Sequence, residues 1–271
     1  MTKLNGVLTA TDFDRTTAVV PRRGRPGEFA VELDAGWSSL VGVHGGYLCA
    51  IAVRGAEALV EDRSVRTLTT SFVRNGQVGS ATLCIRAVRE GRSITTMVAD
   101  LVQDGRLVAT SRLTLMTERS GVEWRARVPL DLPPPEQCLR MDGGPVVHFD
   151  RVDGFMDPGS LPFSGGDRAM VRGYLRPLEP RPVDAAWLAM ATDWFPPPAF
   201  VRLEPPTGGV SIDLTTHIHQ PRVVLGDGDW LTGAFEIQTS AGGLAVEHGR
   251  IAERDGTLVA ESFQTRLTTQ G

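Results

Sequence analysis

The length, composition and charge of the chain exclude several classes of protein. It has 271 residues, of which 41% are hydrophobic and 22% are charged, which is typical of a folded domain and not of a disordered or collagen-like chain. The net charge of −4 is spread without long runs of one sign, so we expect no nucleic-acid partner. At this length the chain holds either one large domain or two ordinary ones.

The sequence carries no signal for a membrane or for export. Its apolar stretches, such as Leu48–Val53, are far shorter than the roughly 20 residues that cross a bilayer. The amino-terminal residues lack the apolar core and cleavage site of a secretory signal. Cys49, Cys84 and Cys138 are widely spaced and include no CxxC pair, which argues against a disulfide framework and a zinc site. We therefore predict a cytoplasmic protein that binds no membrane and no metal.

The first half of the chain predicts a helix followed by a run of strands. A strand is expected around Glu28–Leu33, and a helix from Gly45 to about Val60, where small and apolar residues run without proline. Four later segments alternate in hydrophobicity and are rich in β-branched residues: Val65–Val73, Ala81–Arg89, Ser93–Gln103 and Leu107–Met116. The last two flank Asp104-Gly105, a strong hairpin turn signal.

The second half predicts the same order of elements. A strand is expected around Met170–Arg176, and a helix from Asp184 to about Asp193. Four strands follow: Val210–His219, Trp230–Thr239, Leu244–Glu253 and Leu258–Leu267. Asp255-Gly256 is the turn between the last two.

Matching segments in the two halves indicate a duplication. Three pairs recur at offsets of 151, 146 and 140 residues: Asp104–Ser111 with Asp255–Ser262, Leu68–Thr70 with Leu214–Thr216, and Gly45–Ala50 with Ala185–Met190. The first pair is identical at six of eight positions, and the offset grows along the chain as loop insertions would make it. The chain is therefore predicted to be one unit doubled.

A segment rich in proline and glycine separates the halves. Residues 120–167 contain Pro133–Pro135 and Gly143–Pro145 and are predicted to be a linker or surface excursion. The predicted division is thus residues 1–119, a linker of residues 120–167, and residues 168–271. One helix followed by antiparallel strands indicates an α+β class in which the helix lies across the sheet, and two such units can share a continuous sheet.

Short motifs in both halves carry a family resemblance. They are His44–Tyr47 at a helix start, Gly91–Ser93 opening a strand, Val102–Gly105 at a hairpin, Ala191–Asp193 at a helix end, Val210–Thr215 on a strand, and Ser262–Gln264 on the last strand. In this order the sequence resembles the double-hotdog acyl-CoA thioesterase II family. The resemblance implies two tandem hotdog units, in each of which an antiparallel sheet wraps a central helix. It also implies an acyl-CoA substrate, no cofactor, a place in fatty-acid or lipid metabolism and, by analogy, a homo-oligomer.

The resemblance further implies catalytic residues. Members of the family hold and activate a water with an Asp, a Ser or Thr, and a Gln, and the matching positions are Asp193, Ser211 and Gln264. Ser211 stands where better-known relatives have threonine, so the hydroxyl is kept while the packing differs. A second departure is Pro196–Pro198, next to the expected pocket rim.

The chemistry of thioester hydrolysis fits these residue types. It needs a water, an acceptor for its proton, and donors for the oxyanion, and a carboxylate, a hydroxyl and a carboxamide supply them without a metal. Four residues are candidates for binding the substrate: His44, Gly45, Gly46 and Arg92. The glycines would bring backbone N–H groups of a helix start to the oxyanion. His44 is either a general base or a structural residue, and Arg92 either contacts a CoA phosphate or pairs at the surface.

Strict alternation along the strands predicts which face the trio occupies. It places Ser211 opposite the apolar face of Ile212 and Leu214, and Gln264 opposite Phe263 and Leu267. On this interpretation the polar side chains converge on a face that the apolar set leaves free.

The repeat predicts one site per chain. Subtracting the local offsets maps Asp193, Ser211 and Gln264 onto three apolar residues of the first half, namely Val53, Val65 and Leu113. Two other functions stay open on sequence alone. One is an enoyl-thioester hydratase or dehydratase, which would rely on His44. The other is a non-catalytic protein that binds acyl-CoA or lipid.

Overall fold

A computed structural model describes residues 10–125, 127, 129–203 and 207–270, and within them one antiparallel sheet of 13 strands runs through both halves. The first half contains, in chain order, α1 (Asp12–Thr16), β1 (Val20–Pro21), β2 (Glu28–Leu33), α2 (Gly45–Glu57), β3 (Ser64–Phe72), β4 (Gly79–Glu90), β5 (Ile94–Gln103) and β6 (Arg106–Met116). The rest contains β7 (Leu139–Arg140), β8 (Val152–Met156), β9 (Ala169–Pro177), β10 (Val183–Asp184), α3 (Ala185–Ala191), β11 (Thr207–Ile218), β12 (Arg222–Val223), β13 (Leu231–Ala241), β14 (Leu244–Glu253) and β15 (Leu258–Gln270).

The order of the strands repeats the duplication seen in the sequence. The sheet runs β1-β2-β4-β5-β6-β3-β11-β15-β14-β13-β9-β8-β7, while β10 and β12 pair separately. The order β4-β5-β6-β3 of the first half is thus mirrored by β13-β14-β15-β11 of the second. The ten strands and two helices predicted from the sequence are present, and their ends differ from the predicted ones by a few residues.

The two halves join where β3 pairs with β11. Thr69 lies opposite Thr215, and their hydroxyls are 3.1 Å apart. These threonines are also equivalent in the repeat, at the offset of 146 residues. Each therefore faces its own counterpart, so the approximate twofold axis of the duplication passes through this pair.

The sheet encloses two apolar helices. Every residue of α3 is buried, as is the run Gly46–Val53 of α2, which is typical of helices surrounded by protein. Each helix begins at a side-chain cap: the ring of His44 accepts the N–H of Tyr47, and the carboxylate of Asp184 accepts the N–H of Trp187. The helices contact each other, and α2 contacts β3 to β6, so the core lies between helices and sheet in an α+β arrangement.

The predicted linker adds to the edge of the sheet. Its residues form β7 and β8, and β8 pairs with β9. A short helical turn, Val147–Arg151, precedes β8 and brings the buried side chain of His148 against His44. Among the described residues, no helix is both long and apolar enough to span a bilayer.

Candidate active site

The carboxylate of Asp193 lies between the end of α3 and the beginning of α2. The hydroxyl of Thr192 at the end of α3 is 2.9 Å from that of Thr216 on β11, which fixes the residue that follows. Asp193 is only 8% exposed. A Cβ on Gly46 would lie 2.5 Å from the carbonyl oxygen of Met190 and 2.9 Å from Cβ of Asp193. Glycine at this position therefore lets the two helices meet at the carboxylate.

The two oxygens of Asp193 have different partners. Oδ1 accepts hydrogen bonds from Nε2 of Gln264 at 2.8 Å and from Nη2 of Arg266 at 3.1 Å. Oδ2 accepts the backbone N–H of Gly46 at 2.8 Å. Nε2 of His44 is 3.3 Å from Oδ2 but donates to the backbone oxygen of Asp193 at 2.8 Å. Within the described part of the chain, Oδ2 thus keeps a lone pair for a further donor.

Gln264 connects Asp193 to Ser211. Besides its bond to Asp193, Nε2 of Gln264 donates to Oγ of Ser211 at 2.7 Å, and Oε1 accepts from Nη2 of Arg266 at 2.7 Å. Gln264 is 1% exposed and Ser211 is half-buried. The structure thus brings the three predicted catalytic side chains into one hydrogen-bonded group.

A β-bulge in β11 turns Ser211 toward this group, contrary to the prediction from strict alternation. Ser211 pairs with Arg266 and Asp213 with Thr265, so Ile212 is an extra residue in the strand. Because of it, Ser211 lies on the same face as the fully buried Leu214 instead of the opposite one. The prediction that Ser211 lies on the face opposite Leu214 was wrong, because the extra residue of a bulge interrupts the alternation of side chains.

The polar residues of β15 also face the interior. Phe263 and Leu267 are each 45% exposed, whereas Gln264 and Arg266 on the other face are almost fully buried. Gln264 does lie opposite Phe263 and Leu267, as predicted, but the enclosed face is the polar one. The apolar residues of this stretch cover the outside of the sheet.

Arg266 and Glu247 belong to the site but were not predicted from the sequence. Nε of Arg266 donates to Oε2 of Glu247 at 2.7 Å, and Nη1 donates to Oγ of Ser211 at 3.0 Å. Glu247 lies on β14 directly opposite Gln264, and both members of the ion pair are at most 4% exposed. An arginine in a strand usually indicates a surface. The sequence contained one signal for Arg266: it stands two residues after Gln264 in a strand and therefore lies on the same face.

Burial and pairing shift the pKa values of these groups. Burial by itself raises the pKa of Asp193, but His44, Arg266, the Gln264 carboxamide and the Gly46 N–H together lower it below its ordinary value. Burial dominates at Glu247 and raises its pKa in spite of Arg266. Burial lowers the pKa of Arg266, yet Glu247 and Asp193 outweigh it and raise that pKa. Asp193 is therefore held as a carboxylate.

His44 is placed to hold Asp193 rather than to act as a base. Its Nδ1 accepts the N–H of Tyr47 at 3.3 Å, so this nitrogen carries the lone pair, and Nε2 carries the hydrogen donated to the backbone oxygen of Asp193. Both ring nitrogens are thus engaged. This tautomer removes the support that His44 gave to the hydratase alternative.

His148 forms a second layer against His44. The two rings stack with centroids 4.2 Å apart, and Nδ1 of His148 is 3.3 Å from the carbonyl oxygen of Ser38. Burial and then the neighbouring His44 ring lower the pKa of His148 to about 3. The ring is therefore neutral at physiological pH.

The neutral state of His148 predicts a loss of stability in acid. An unfolded histidine takes up its proton near pH 6.5, whereas His148 in the folded chain does so only near its lowered pKa of about 3. Between these values the unfolded state binds the extra proton, so the free energy of unfolding should fall by up to about 1.4 kcal/mol per pH unit as the pH decreases. Denaturant titrations from pH 7 to 4 measure this slope.

The matched variant is His148→Gln, which keeps a polar side chain that does not titrate. It should reduce the pH dependence of the free energy of unfolding by up to about 1.4 kcal/mol per pH unit, which is the contribution of one proton. An identical slope in the wild type and His148→Gln would contradict the assignment.

The predicted substrate-binding residues do not all lie together. His44, Gly45 and Gly46 surround Asp193, although the N–H of Gly46 is already taken by Oδ2. Arg92 is exposed in the turn between β4 and β5, and its backbone oxygen accepts a hydrogen bond from Arg63 at 3.3 Å, next to the end of β3 that begins at Ser64. The site lies beyond the other end of β3, roughly 25 Å away at about 3.3 Å per residue. Arg92 therefore does not touch the group around Asp193, and its contact with a CoA phosphate stays a prediction.

The equivalent place in the first half is apolar. Val53, Val65 and Leu113 are each 0% exposed, and Leu113 pairs with Met97 as Gln264 pairs with Glu247. Leu115, two residues after Leu113, takes the place of Arg266 and is also 0% exposed. Among the described residues, the duplicated location is thus filled by hydrophobic core.

Solved structures define the class of fold. A hot-dog-fold protein of unknown function from Alicyclobacillus acidocaldarius is 24% identical, with a TM-score of 0.86, covering 97% of this chain and 100% of its own. A protein assigned as a thioesterase II from Thermobifida fusca is 26% identical, with a TM-score of 0.82 and coverages of 98% and 100%. An acyl-CoA thioesterase II from Mycobacterium marinum is 19% identical, with a TM-score of 0.76 and coverages of 96% and 98%. The predicted double hotdog is confirmed.

Family models make the assignment more specific. The acyl-CoA thioesterase N-terminal domain matches residues 33–116, and the acyl-CoA thioesterase C-terminal domain matches residues 129–268. No curated protein is similar enough in sequence to count as a match. The chain belongs to the acyl-CoA thioesterase family.

Proposed function

We propose that the protein hydrolyses acyl-CoA to a free acid and CoA with the trio Asp193, Ser211 and Gln264, in which Asp193 holds the attacking water and Gln264 connects Asp193 to Ser211. The observation that carries the proposal is the enclosed group in which Gln264 donates to the carboxylate at 2.8 Å and to the hydroxyl at 2.7 Å. Membership of the acyl-CoA thioesterase family supports the reaction. A role in fatty-acid or lipid metabolism follows from such a substrate.

Ser211 is restricted to donating a hydrogen bond. A hydroxyl has two lone pairs and one hydrogen, and both lone pairs of Ser211 accept bonds, from Gln264 at 2.7 Å and from Arg266 at 3.0 Å. Its hydrogen is directed away from these donors. We infer that it stabilises the oxyanion that develops on the thioester carbonyl, a task for which the Gly46 N–H is not free.

Asp193 supplies the acceptor for the water. The open lone pair of Oδ2 orients one hydrogen of the water while the oxygen attacks the carbonyl carbon. As the C–O bond forms, the proton moves to the carboxylate; as the C–S bond breaks, it passes to the thiolate of CoA. The lowered pKa makes Asp193 a weak base, so much of its effect is electrostatic orientation of the water.

The direct test is hydrolysis of a panel of acyl-CoA substrates of increasing chain length, followed by a thiol reagent that detects free CoA. We expect release for at least one chain length. Tight binding of acyl-CoA without thiol release would favour the non-catalytic alternative, and no release together with no binding would reject both. Hydration of an enoyl-CoA, followed by its absorbance, tests the remaining alternative.

The bulge in β11 gives a separate prediction. Deleting Ile212 removes the extra residue, so that Asp213 follows Ser211 directly, while Ser211 still pairs with Arg266 and still faces the interior. Hydrolysis by the deletion variant should therefore stay within about tenfold of wild type, whereas Ser211→Ala should lose about 10²-fold or more. The fold should survive because Asp213 and the residues after it keep their pairing with β15. Thiol release and circular dichroism measure the two effects.

The control for that deletion is Ile212→Val, which keeps the extra residue and should stay active. If the deletion variant is folded and hydrolyses acyl-CoA no faster than Ser211→Ala, the pairing of Ser211 with Arg266 does not by itself place the hydroxyl for catalysis.

The division into units is also a proposal. We propose hotdog units at residues 1–119 and 168–271 joined by residues 120–167, which supply His148 beside the site. A homo-oligomer and a cytoplasmic location stay predictions. Light scattering of the purified protein measures the first, and fractionation of cells measures the second.

A further inference from the structure

The buried ion pair between Arg266 and Glu247 supplies no atom that reacts in the proposed hydrolysis. Burying two charges costs free energy that their attraction does not always recover, and hydrophobic replacements are often as stable. The chain itself shows such a replacement, since Leu115 and Met97 occupy the equivalent positions in the first half and are at most 2% exposed. A role beyond stability would explain a charged pair in the second half.

The geometry gives Arg266 three acceptors within the proposed catalytic group. Its guanidinium donates to Oδ1 of Asp193 at 3.1 Å, to Oε1 of Gln264 at 2.7 Å and to Oγ of Ser211 at 3.0 Å. Nε donates to Glu247 at 2.7 Å, which fixes the plane of the guanidinium fork. One rigid group thus touches every member of the trio.

We propose that Arg266 and Glu247 are positioning residues, which orient Ser211 as a hydrogen donor and leave only Oδ2 of Asp193 open to the water. The proposal rests on the proposed thioesterase function for its kinetic consequences. Filling Oδ1 with Gln264 and Arg266 leaves the water a single oxygen to use. Without Arg266, a lone pair of Ser211 is free and its hydroxyl hydrogen can rotate away from the substrate.

Charge is the second part of the role. The groups that face Asp193 are His44 and Cys49 from α2 and its cap, His148 from the turn Val147–Arg151, Glu247 from β14 and Arg266 from β15. Arg266 is the cation nearest to Asp193, and Glu247 balances part of the positive charge of Arg266. With Glu247 in place the carboxylate of Asp193 is held without being fully neutralised.

The variants follow from the repeat. Arg266→Leu combined with Glu247→Met copies the pair that the first half already packs, so the variant should fold, with Asp193 still held by Gln264 and the N–H of Gly46. Glu247→Gln removes the second carboxylate while Arg266 stays beside Asp193. Arg266→Lys keeps the charge but not the planar fork.

The matched control is Arg112→Lys, which changes an exposed arginine on β6. Its rate of acyl-CoA hydrolysis should equal that of the wild type.

We expect kcat to fall about tenfold or more in all three site variants, since a misplacement of about 1 Å can cost 10²-fold, with a smaller change in KM. The titration midpoint of the Asp193 carboxyl, followed by ¹³C NMR, should rise in the Leu/Met double variant, which loses the nearest cation. It should fall in Glu247→Gln, where Arg266 no longer shares its charge. A pair that is not coupled to Asp193 would leave its midpoint unmoved, and kcat then shows whether the coupling serves the reaction.

Two results distinguish this inference from the proposed function. If the wild type hydrolyses acyl-CoA and folded variants keep both kcat and the Asp193 midpoint, the positioning role is wrong while the thioesterase stands. If the wild type releases no thiol from any acyl-CoA, the thioesterase proposal fails. The NMR midpoints then decide the inference, because opposite shifts support the coupling of Arg266 and Glu247 to Asp193 and unmoved midpoints overturn it.

Discussion

Replacing Asp193 with asparagine should lower kcat for acyl-CoA hydrolysis by about 10²–10⁴-fold, the range found when a positioned acid or base is removed. Asparagine has the same shape but one of its two terminal atoms is an NH₂ group. If that group takes the Oδ2 position, it meets the N–H of Gly46, now 2.8 Å from Oδ2, with a donor. If it takes the Oδ1 position, it faces the donors of Gln264 and Arg266 at 2.8 and 3.1 Å.

Either orientation loses hydrogen bonds and the negative charge. The open lone pair that would receive the water proton disappears or loses its basicity, which accounts for the loss of rate. Leaving a buried donor unsatisfied also destabilises the fold, by about 1–3 kcal/mol. The measurements are thiol release at saturating acyl-CoA and denaturant unfolding of the same preparation.

The control is Asp213→Asn, two residues beyond Ser211 and past the bulge, whose side chain faces away from Leu214 and the site. It should change neither rate nor stability appreciably. A folded Asp193→Asn protein that retains more than about a tenth of wild-type kcat would remove Asp193 from the mechanism, because a positioned acid or base contributes about 10²-fold at least.

The fold was more accessible from the sequence than the site. Hydrophobic periodicity and the repeated motifs located α2, α3 and most strands, because an element's period depends on local sequence, whereas the five-residue α1 was not predicted. The sequence also predicted that the two units can share a continuous sheet, and the pairing of Thr69 with Thr215 fits the tendency of duplicated units to associate through equivalent edges. The short strands β7 and β8 lie in a segment whose prolines and glycines indicated a linker, and the sheet edge that they extend is a tertiary feature.

The face on which Ser211 lies was predicted wrongly, for a reason that local patterns do not contain. On β15 the prediction was right that Gln264 lies opposite Phe263 and Leu267, but alternation does not say which face is enclosed, and the enclosed face is the polar one. The bulge at Ile212 depends on how β11 pairs with β15. Charged residues in strands become interpretable as a buried network only when the partner strand supplies the opposite charge, as Glu247 does.

Replacing Gly46 with alanine should have a large effect on both stability and rate. Alanine is the better helix former by about 1 kcal/mol in a helix interior, so propensity alone favours the substitution. The new Cβ would nevertheless lie 2.5 Å from the carbonyl oxygen of Met190, which is backbone and cannot rotate away, and 2.9 Å from Cβ of Asp193. We expect a net loss of about 1–3 kcal/mol in the free energy of unfolding, which is typical of overpacking.

The same contact connects the substitution to catalysis. Separating α2 from α3 lengthens the 2.8 Å bond from the Gly46 N–H to Oδ2 and shifts the carboxylate relative to Gln264. A displacement of about 1 Å can lower the rate about 10²-fold, so kcat should fall by roughly that factor in protein that is still folded. Thermal unfolding and thiol release, measured below the unfolding transition, separate the two effects.

Gly55 provides the matched control within the same helix. Its added Cβ would meet Cδ2 of Leu83 at 2.4 Å and Cδ1 of Ile85 at 2.6 Å, the far ends of side chains that can move. It lies about 14 Å from Gly46 along the axis, at 1.5 Å per residue. Gly55→Ala should therefore destabilise the fold by less and keep its activity. Equal losses of kcat in the two variants would mean that α2 affects the site through its overall stability, and normal kcat in Gly46→Ala would mean that the close approach of the helices does not set the position of Asp193.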